Sequence, residues 1–109
     1  MPQLNDDGDT VTLDLHGATV QEAERLAVQL IWEASNRGRS RIRLIHGSSS
    51  SSRLYRNRTI KHTLYQLLED ERQKGLVTGI LRHDDDLLLS LSLTRTADPR
   101  RLTIRDLSG

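Results

Sequence analysis

The chain has 109 residues, which is enough for one small domain and too few for two independent hydrophobic cores. It contains no cysteine, which excludes disulfide bonds, thiolate zinc sites and a cysteine nucleophile, and its 3% of aromatic residues argues against folds that stack several bases on aromatic side chains. The net charge is only +1, but residues 37–61 carry eight basic residues and no acidic one, so we expect this basic block to contact an anionic partner.

The N-terminal part of the chain predicts a leader followed by a strand. Residues 1–9 are acidic and polar, so we expect a flexible leader in front of a single domain over residues 10–109. From Thr10 to Leu15, apolar residues alternate with polar ones, which is typical of a half-buried strand. No apolar run approaches the length of a membrane span, and we expect a monomeric cytoplasmic protein.

The next segment predicts a helix and a second strand. Thr19 followed by Glu22 is typical of a capping box, and apolar residues then recur at helical spacing as far as Asn36. Arg41 to His46 is predicted as a strand. Because strand, helix and strand follow one another within about 35 residues, we expect the two strands to be parallel neighbours in a βαβ unit.

The second half of the chain completes the expected fold. We predict a loop over residues 47–57 and a second helix from about Arg58 to Lys74. Three further strands are expected at Val77 to Arg82, Leu87 to Thr94 and Arg101 to Asp106, the first two forming an antiparallel hairpin. The fold class is therefore α/β: a two-layer sandwich of β-α-β-α-β-β order, with one more strand if residues 101–106 add to it, and with helices packed on a mixed sheet.

Two predicted strands each end in His-Gly, and these ends are the strongest candidates for a site. If the strands are parallel neighbours, His16 and His46 emerge at the same carboxyl edge, where open α/β sheets bind ligands. Gly17 and Gly47 allow the backbone to turn sharply and to approach a ligand closely. Asp14 lies on the same strand face as His16 and can orient its imidazole for acid–base work. In the alternative interpretation, both histidines only cap strand ends by bonding backbone groups.

The other polar clusters are weaker candidates for a functional site. We expect His62, on the second helix, and His83, in a turn, to be surface histidines. The run Asp84 to Asp86 is expected to form a solvated turn, since three adjacent carboxylates do not converge easily on one cation. No spacing of His and Glu resembles a zinc site, so no metal ligand is predicted from spacing.

The sequence resembles the Smr (small MutS-related) domain family. Leu13 to Gly17 reads LDLHG, which is identical to that family's N-terminal signature, and residues 18–23 look like its continuation into the first helix. Ile45 to Gly47 is similar to the first part of its second motif, and Ile60 to Leu68 resembles the start of its second helix. The resemblance extends over about residues 10–94, most of the chain.

The resemblance implies a fold like the C-terminal domain of translation initiation factor 3, nucleic-acid binding and, in many members, endonuclease activity on DNA or RNA. The family's functional positions match Asp14, His16, Gly17, His46 and Gly47. The chain departs from the family where Gly47 is followed by serines instead of x-Gly, and where residues 83–86 replace a late glycine-rich turn. The first departure affects how the backbone approaches a phosphate. The second affects which shape of nucleic acid the domain accepts.

Two functions follow as hypotheses. As an endonuclease, the chain would use His16 and His46 as acid and base, with Asp14 orienting His16 or holding a Mg²⁺ or Mn²⁺ ion. As a non-catalytic module, it would attach a partner to nucleic acid or to the ribosome. In both, the residues expected to contact nucleic acid are Gly17, Gly47, Arg37, Arg39, Arg41, Arg43, Arg53, Arg56, Arg58 and Lys61.

Overall fold

The computed structural model describes residues 2–47, 54–92 and 96–107, and it describes side chains in all of these except residues 54–59. In chain order the elements are β1 (Gln3–Asp6), β2 (Thr10–Asp14), α1 (Val20–Asn36), β3 (Arg41–Ile45), α2 (Leu54–Gln73), β4 (Val77–Arg82), β5 (Asp86–Leu91) and a 3-10 turn (Ile104–Leu107). No helix in these ranges is both long and apolar enough to cross a membrane.

The strands form one mixed sheet in the order β1-β2-β3-β5-β4. β2 and β3 are parallel, and the other three neighbouring pairs are antiparallel, which confirms the predicted βαβ unit and the β4–β5 hairpin. In register, Asp14 lies opposite Ile45, and Ile45 lies opposite Asp86. These three residues therefore form one row across β2, β3 and β5, with their side chains on the same face.

The sheet and the helices make two layers, in agreement with the predicted α/β sandwich. Alternate strand residues such as Leu13, Leu44 and Leu89 are fully buried and belong to one core cluster with residues of α1 and α2. The intervening residues point to the opposite face of the sheet, where Arg41 and Arg43 are exposed. The basic residues of β3 therefore lie on the face that α1 and α2 leave open.

Helix α1 begins as the sequence predicts. The Glu22 backbone N–H donates to the Thr19 hydroxyl oxygen at 3.1 Å, and the Thr19 N–H donates to Glu22 Oε1 at 3.1 Å, which completes the capping box. The apolar stripe at helical spacing is buried against the sheet. The helix ends at Asn36, and Gly38 follows with a φ of 69°.

Four predictions about individual elements are wrong. Gln3–Asp6 pairs with β2 as a strand instead of belonging to an unstructured leader, and α2 begins at Leu54 rather than near Arg58. The expected strand from Arg101 to Asp106 is instead a turn, because Asp106 Oδ2 accepts a hydrogen bond from the Thr103 N–H at 2.8 Å. The predicted strand after Leu87 ends at Leu91; residues 93–95 lie outside the described residues, as do residues 48–53 of the predicted loop.

Arg39 is a core residue, and this corrects its predicted contact with nucleic acid. It is fully buried, with Nε 2.9 Å from Asp6 Oδ1 and Nη2 2.9 Å from Asp6 Oδ2. It also donates to the backbone carbonyls of Arg37, Asp98 and Arg100 at 2.7–2.9 Å. Asp6 in turn accepts the Leu102 N–H at 2.7 Å. This Arg39 clamp joins β1, the segment before β3 and residues 98–102.

Candidate functional site

The two His-Gly turns lie side by side. The Leu15 N–H donates to the Ile45 carbonyl at 2.9 Å, so the parallel pairing of β2 and β3 continues to the last residue before His16 and His46. Both histidines therefore follow the same carboxyl edge of the sheet, as the sequence predicts. Gly17 and Gly47 have φ values of 82° and 97°, a left-handed conformation that glycine adopts without a Cβ clash.

Asp14 holds the backbone of this edge instead of the imidazole ring of His16. Its Oδ1 accepts the His16 backbone N–H at 2.9 Å, a local turn that competes with contact to the ring. The expectation that Asp14 orients the His16 ring is therefore not what the structure shows. Asp14 fixes the turn, and the turn presents an exposed His16 side chain at the edge.

His46 is buried, whereas His16 is exposed. Only 3% of His46 is exposed, and its Nδ1 lies 3.0 Å from the Gly47 carbonyl oxygen, so Nδ1 carries the proton and donates. Its Nε2 is buried and has no hydrogen-bond partner within the part of the chain that the structure describes. Burial lowers the pKa of His46, and the nearby Lys61 charge adds to this, which outweighs the opposing contributions of Gly47, Asp86 and Asp85. The ring is therefore neutral at neutral pH.

The β4–β5 turn closes on the second His-Gly turn. The backbone N–H groups of His46 and Gly47 both donate to the Asp85 carbonyl, at 3.0 and 3.1 Å. The His83 N–H donates to the Asp86 carbonyl at 2.9 Å and closes the turn itself. Residues 83–86 thus form one wall of the candidate site.

A carboxylate, a histidine and an arginine are joined at this wall. Asp86 Oδ1 lies 2.6 Å from His83 Nδ1, and Asp86 Oδ2 accepts Arg43 Nε at 2.7 Å. The Asp86 side chain is 12% exposed, whereas those of His83 and Arg43 are 53% and 49% exposed. Burial by itself raises the pKa of Asp86, but the hydrogen bonds and charges of Arg43 and His83 outweigh it and lower that pKa. We call these residues the His83–Asp86–Arg43 cluster.

The sequence pattern does not predict this cluster, since His83 was expected at the surface and Asp86 in a solvated turn. The available signal was the spacing of a histidine and an aspartate three residues apart across a turn between two strands. That signal is weak by itself, because only the pairing of β5 with β3 brings Arg43 to the same carboxylate.

The remaining basic residues are distributed over both edges of the sheet. Lys61 lies near enough to His46 for its charge to affect the pKa of that ring, and Arg41 is exposed at the start of β3. Arg37 follows the end of α1, at the edge away from His46, and pairs with Glu33 and Asp106 at 3.9 and 3.8 Å. Two further predicted contacts, Arg56 and Arg58, belong to α2, and Arg53 lies outside the described residues.

A metal site is not preformed in the described ranges. No group of three or more His, Asp or Glu side chains there is placed to hold a metal ion. The residues that are present therefore do not form a ready site for Mg²⁺ or Mn²⁺ around Asp14.

Comparisons with known proteins agree with the arrangement of motifs. A family model of the Smr domain matches residues 13–83, which include both His-Gly turns and end in the β4–β5 turn. No match was found among curated proteins or among solved structures. Because the matched segment spans more than half of the chain and includes both His-Gly turns, the chain belongs to the Smr domain family.

Proposed function

We propose that this Smr domain binds nucleic acid and cleaves a phosphodiester bond at the carboxyl edge of β2 and β3. The observation that carries the proposal is the Leu15 to Ile45 hydrogen bond, which aligns the two His-Gly turns at one edge. Smr domains generally bind nucleic acids, and the family has nuclease-like members. The edge also carries the residue types that phosphoryl chemistry needs: imidazoles, carboxylates and cations.

Binding would depend on cations around the edge and on the open face of the sheet. Arg43 and Arg41 extend from β3 on the open face, and Lys61 lies near His46. Guanidinium groups make bidentate contacts to phosphate, and each neutralised phosphate releases counterions. The positive φ values of Gly17 and Gly47 leave backbone at both turns without a Cβ, so a phosphate can approach closely.

Within the cleavage step, His16 is the proton donor to the leaving oxygen. It is exposed at the edge and can exchange protons with solvent, and Asp14 fixes the turn that presents it. His46 has a different part, because its ring is buried and neutral. Through its bond to the Gly47 carbonyl it holds the second turn in shape.

A non-catalytic module, binding nucleic acid or the ribosome, is the second candidate. It is favoured by two observations: Asp14 bonds backbone instead of the His16 ring, and His46 is buried. Such a module would use the same cations and the same turns without proton transfer.

A turnover assay separates the two functions. Purified protein is incubated with supercoiled plasmid, single-stranded DNA or structured RNA, with and without EDTA, and products are resolved on gels. We expect cleavage by the wild type, loss of cleavage in His16→Ala, and unchanged binding and melting temperature in that variant. His62→Ala is the matched control, since His62 is an exposed histidine of α2 that bonds Gln66 at 3.3 Å.

The outcomes differ for each function. Binding without cleavage of any substrate by the wild type supports the non-catalytic module. Wild-type rates in His16→Ala contradict the role of His16. Inhibition by EDTA that Mg²⁺ or Mn²⁺ reverses would assign Asp14 to a metal, whereas insensitivity to EDTA, together with reduced cleavage and unchanged binding in Asp14→Asn, supports its role in fixing the turn.

A further inference from the structure

We propose that His83, oriented by Asp86, is the general base that activates the attacking water in the cleavage described above. This inference rests on the proposed endonuclease function and adds a catalytic residue to it. The His83–Asp86–Arg43 cluster lies outside the two His-Gly motifs.

The position of the cluster places it in the same site as Asp14. Asp14, Ile45 and Asp86 form one row on the open face of the sheet. Neighbouring strands are about 4.8 Å apart, so the Cα atoms of Asp14 and Asp86 are separated by about 10 Å. The Ile45 side chain lies between them, so the phosphate and the water molecule would lie above this row, between the turn that presents His16 and the turn that carries His83.

The geometry of His83 is that of an oriented base. The contact of 2.6 Å between Nδ1 and Asp86 Oδ1 fixes the tautomer, because a carboxylate accepts the Nδ1 proton. Nε2 then carries the lone pair, on a side chain that is 53% exposed. In this arrangement the Asp86 carboxylate holds Nδ1 and orients the ring, so that Nε2 can accept a proton as a general base.

The other two histidines of the edge lack this combination. His16 is exposed, but the carboxylate beside it bonds the backbone. His46 has a fixed tautomer, but its Nε2 is buried and cannot meet a water molecule at the surface of the sheet. His83 alone among these three combines a carboxylate on Nδ1 with an exposed ring.

Arg43 and Asp86 support the charge changes of the step. Asp86 is bonded by Arg43 Nε at 2.7 Å, and it stays ionised at neutral pH because its pKa lies below the ordinary value. An ionised Asp86 stabilises the imidazolium that forms when His83 takes up a proton. Arg43 uses Nε for Asp86 and is half-exposed, so its terminal amino groups can reach a phosphate oxygen.

The step balances without an oxidant or reductant. As the water oxygen bonds to phosphorus, one of its protons passes to His83 Nε2. The bond between phosphorus and the leaving oxygen breaks, and that oxygen receives a proton from protonated His16. His83 then releases its proton to solvent, and His16 takes one up, which restores the starting state.

The test compares His83→Ala with His62→Ala in single-turnover cleavage at saturating nucleic acid. We expect His83→Ala to reduce the rate by about 10²- to 10⁴-fold, the usual range for removal of a general base. Dissociation constants for a labelled oligonucleotide and melting temperatures should remain close to the wild type, and His62→Ala should cleave at the wild-type rate. Added imidazole should restore part of the rate of His83→Ala, because the site of the His83 ring is open to solvent.

Asp86→Asn tests the orienting carboxylate. We expect a lower single-turnover rate and a changed pH profile with an unchanged dissociation constant, because asparagine keeps the shape but loses the charge that stabilises the imidazolium. If the melting temperature also falls, the comparison is made at a temperature at which the variant is folded by circular dichroism.

Three results would overturn the inference. Wild-type cleavage by His83→Ala refutes it and leaves the endonuclease function standing. A His83→Ala variant with a raised dissociation constant that reaches the wild-type rate once nucleic acid is saturating shows that His83 only binds. Absence of cleavage by the wild type refutes both the endonuclease function and the role of His83.

Discussion

The Arg39 clamp predicts a large loss of stability in Arg39→Met. Arg39 is fully buried, and its guanidinium satisfies both Asp6 carboxylate oxygens and three backbone carbonyls. Methionine fills similar space but donates no hydrogen bond. The substitution therefore leaves the buried Asp6 carboxylate with backbone N–H donors only and no counter-charge, and it removes a donor from each of the three carbonyls.

The magnitude follows from the burial of both partners. Breaking a buried ion pair by removing one partner costs about 3–5 kcal/mol. Unfolding of a chain of this length carries an entropy of about 0.23 kcal/mol/K, at roughly 2.1 cal/mol/K per residue, so the melting temperature should fall by about 13–22 °C. Arg100→Met is the matched control, because the Arg100 side chain is 82% exposed, and it should melt with the wild type.

The assay is thermal and urea unfolding followed by circular dichroism. A double-mutant cycle adds Asp6→Asn and the double variant Asp6→Asn with Arg39→Met. The free energy of unfolding of the double variant should fall by less than the sum of the two single-variant losses, and the difference should be at least about 1 kcal/mol. An Arg39→Met protein within about 1 kcal/mol of the wild type, far under the range for a broken buried pair, would refute the reasoning.

Three further predictions concern acid, the helix cap and salt. For Asp6, burial raises the pKa, but bonds from Arg39, Leu102 and Gly8 outweigh it and lower the value; the pKa of Asp86 is also lowered. The unfolded chain therefore takes up protons first as the pH falls, so the free energy of unfolding should decrease below about pH 4; a melting temperature constant from pH 6 to pH 3 would contradict this. Thr19→Ala removes one half of the capping box and should lower the free energy of unfolding by about 1 kcal/mol in urea titrations, whereas a neutral result would mean that the cap adds nothing. Binding of single strands should weaken linearly in log–log terms with salt, and the slope should flatten by up to about 2 in the triple alanine variant of Arg53, Arg56 and Arg58; an unchanged slope would place the phosphate contacts elsewhere, for example on Arg41 and Arg43.

The central βαβ unit could be predicted because its signals are local. Alternation from Thr10, the Thr19 and Glu22 pair and the helical stripe each lie within one element, and all of them appear in the structure. The shared edge of His16 and His46 followed from the parallel pairing that such a unit implies.

The other parts of the fold and of the candidate site depend on contacts between residues that are distant in the sequence. β1 has a single partly buried leucine, Leu4, so its sequence has no periodic pattern, and it is held by pairing with β2 and by the Arg39 clamp. Arg39 belongs to the basic block. The other basic residues of this block whose side chains are described are exposed or partly exposed, and only the position of Asp6 explains the burial of Arg39. The cluster at His83 likewise needs the antiparallel pairing of β3 with β5, which no short motif encodes.

The Arg39 clamp also has a consequence for the order of events in folding and opening. The Leu102 to Asp6 bond joins residues 96 positions apart, and Arg39 reaches Asp98 and Arg100 across 59 and 61 positions. Closing such large loops is slow, so we expect these contacts to form after the βαβ unit and their removal to accelerate unfolding more than it slows folding. Since one guanidinium holds β1 and residues 98–102 together, the two segments should open as one unit. Their amide protons would then exchange with solvent at a common rate, ahead of those of β2 and β3.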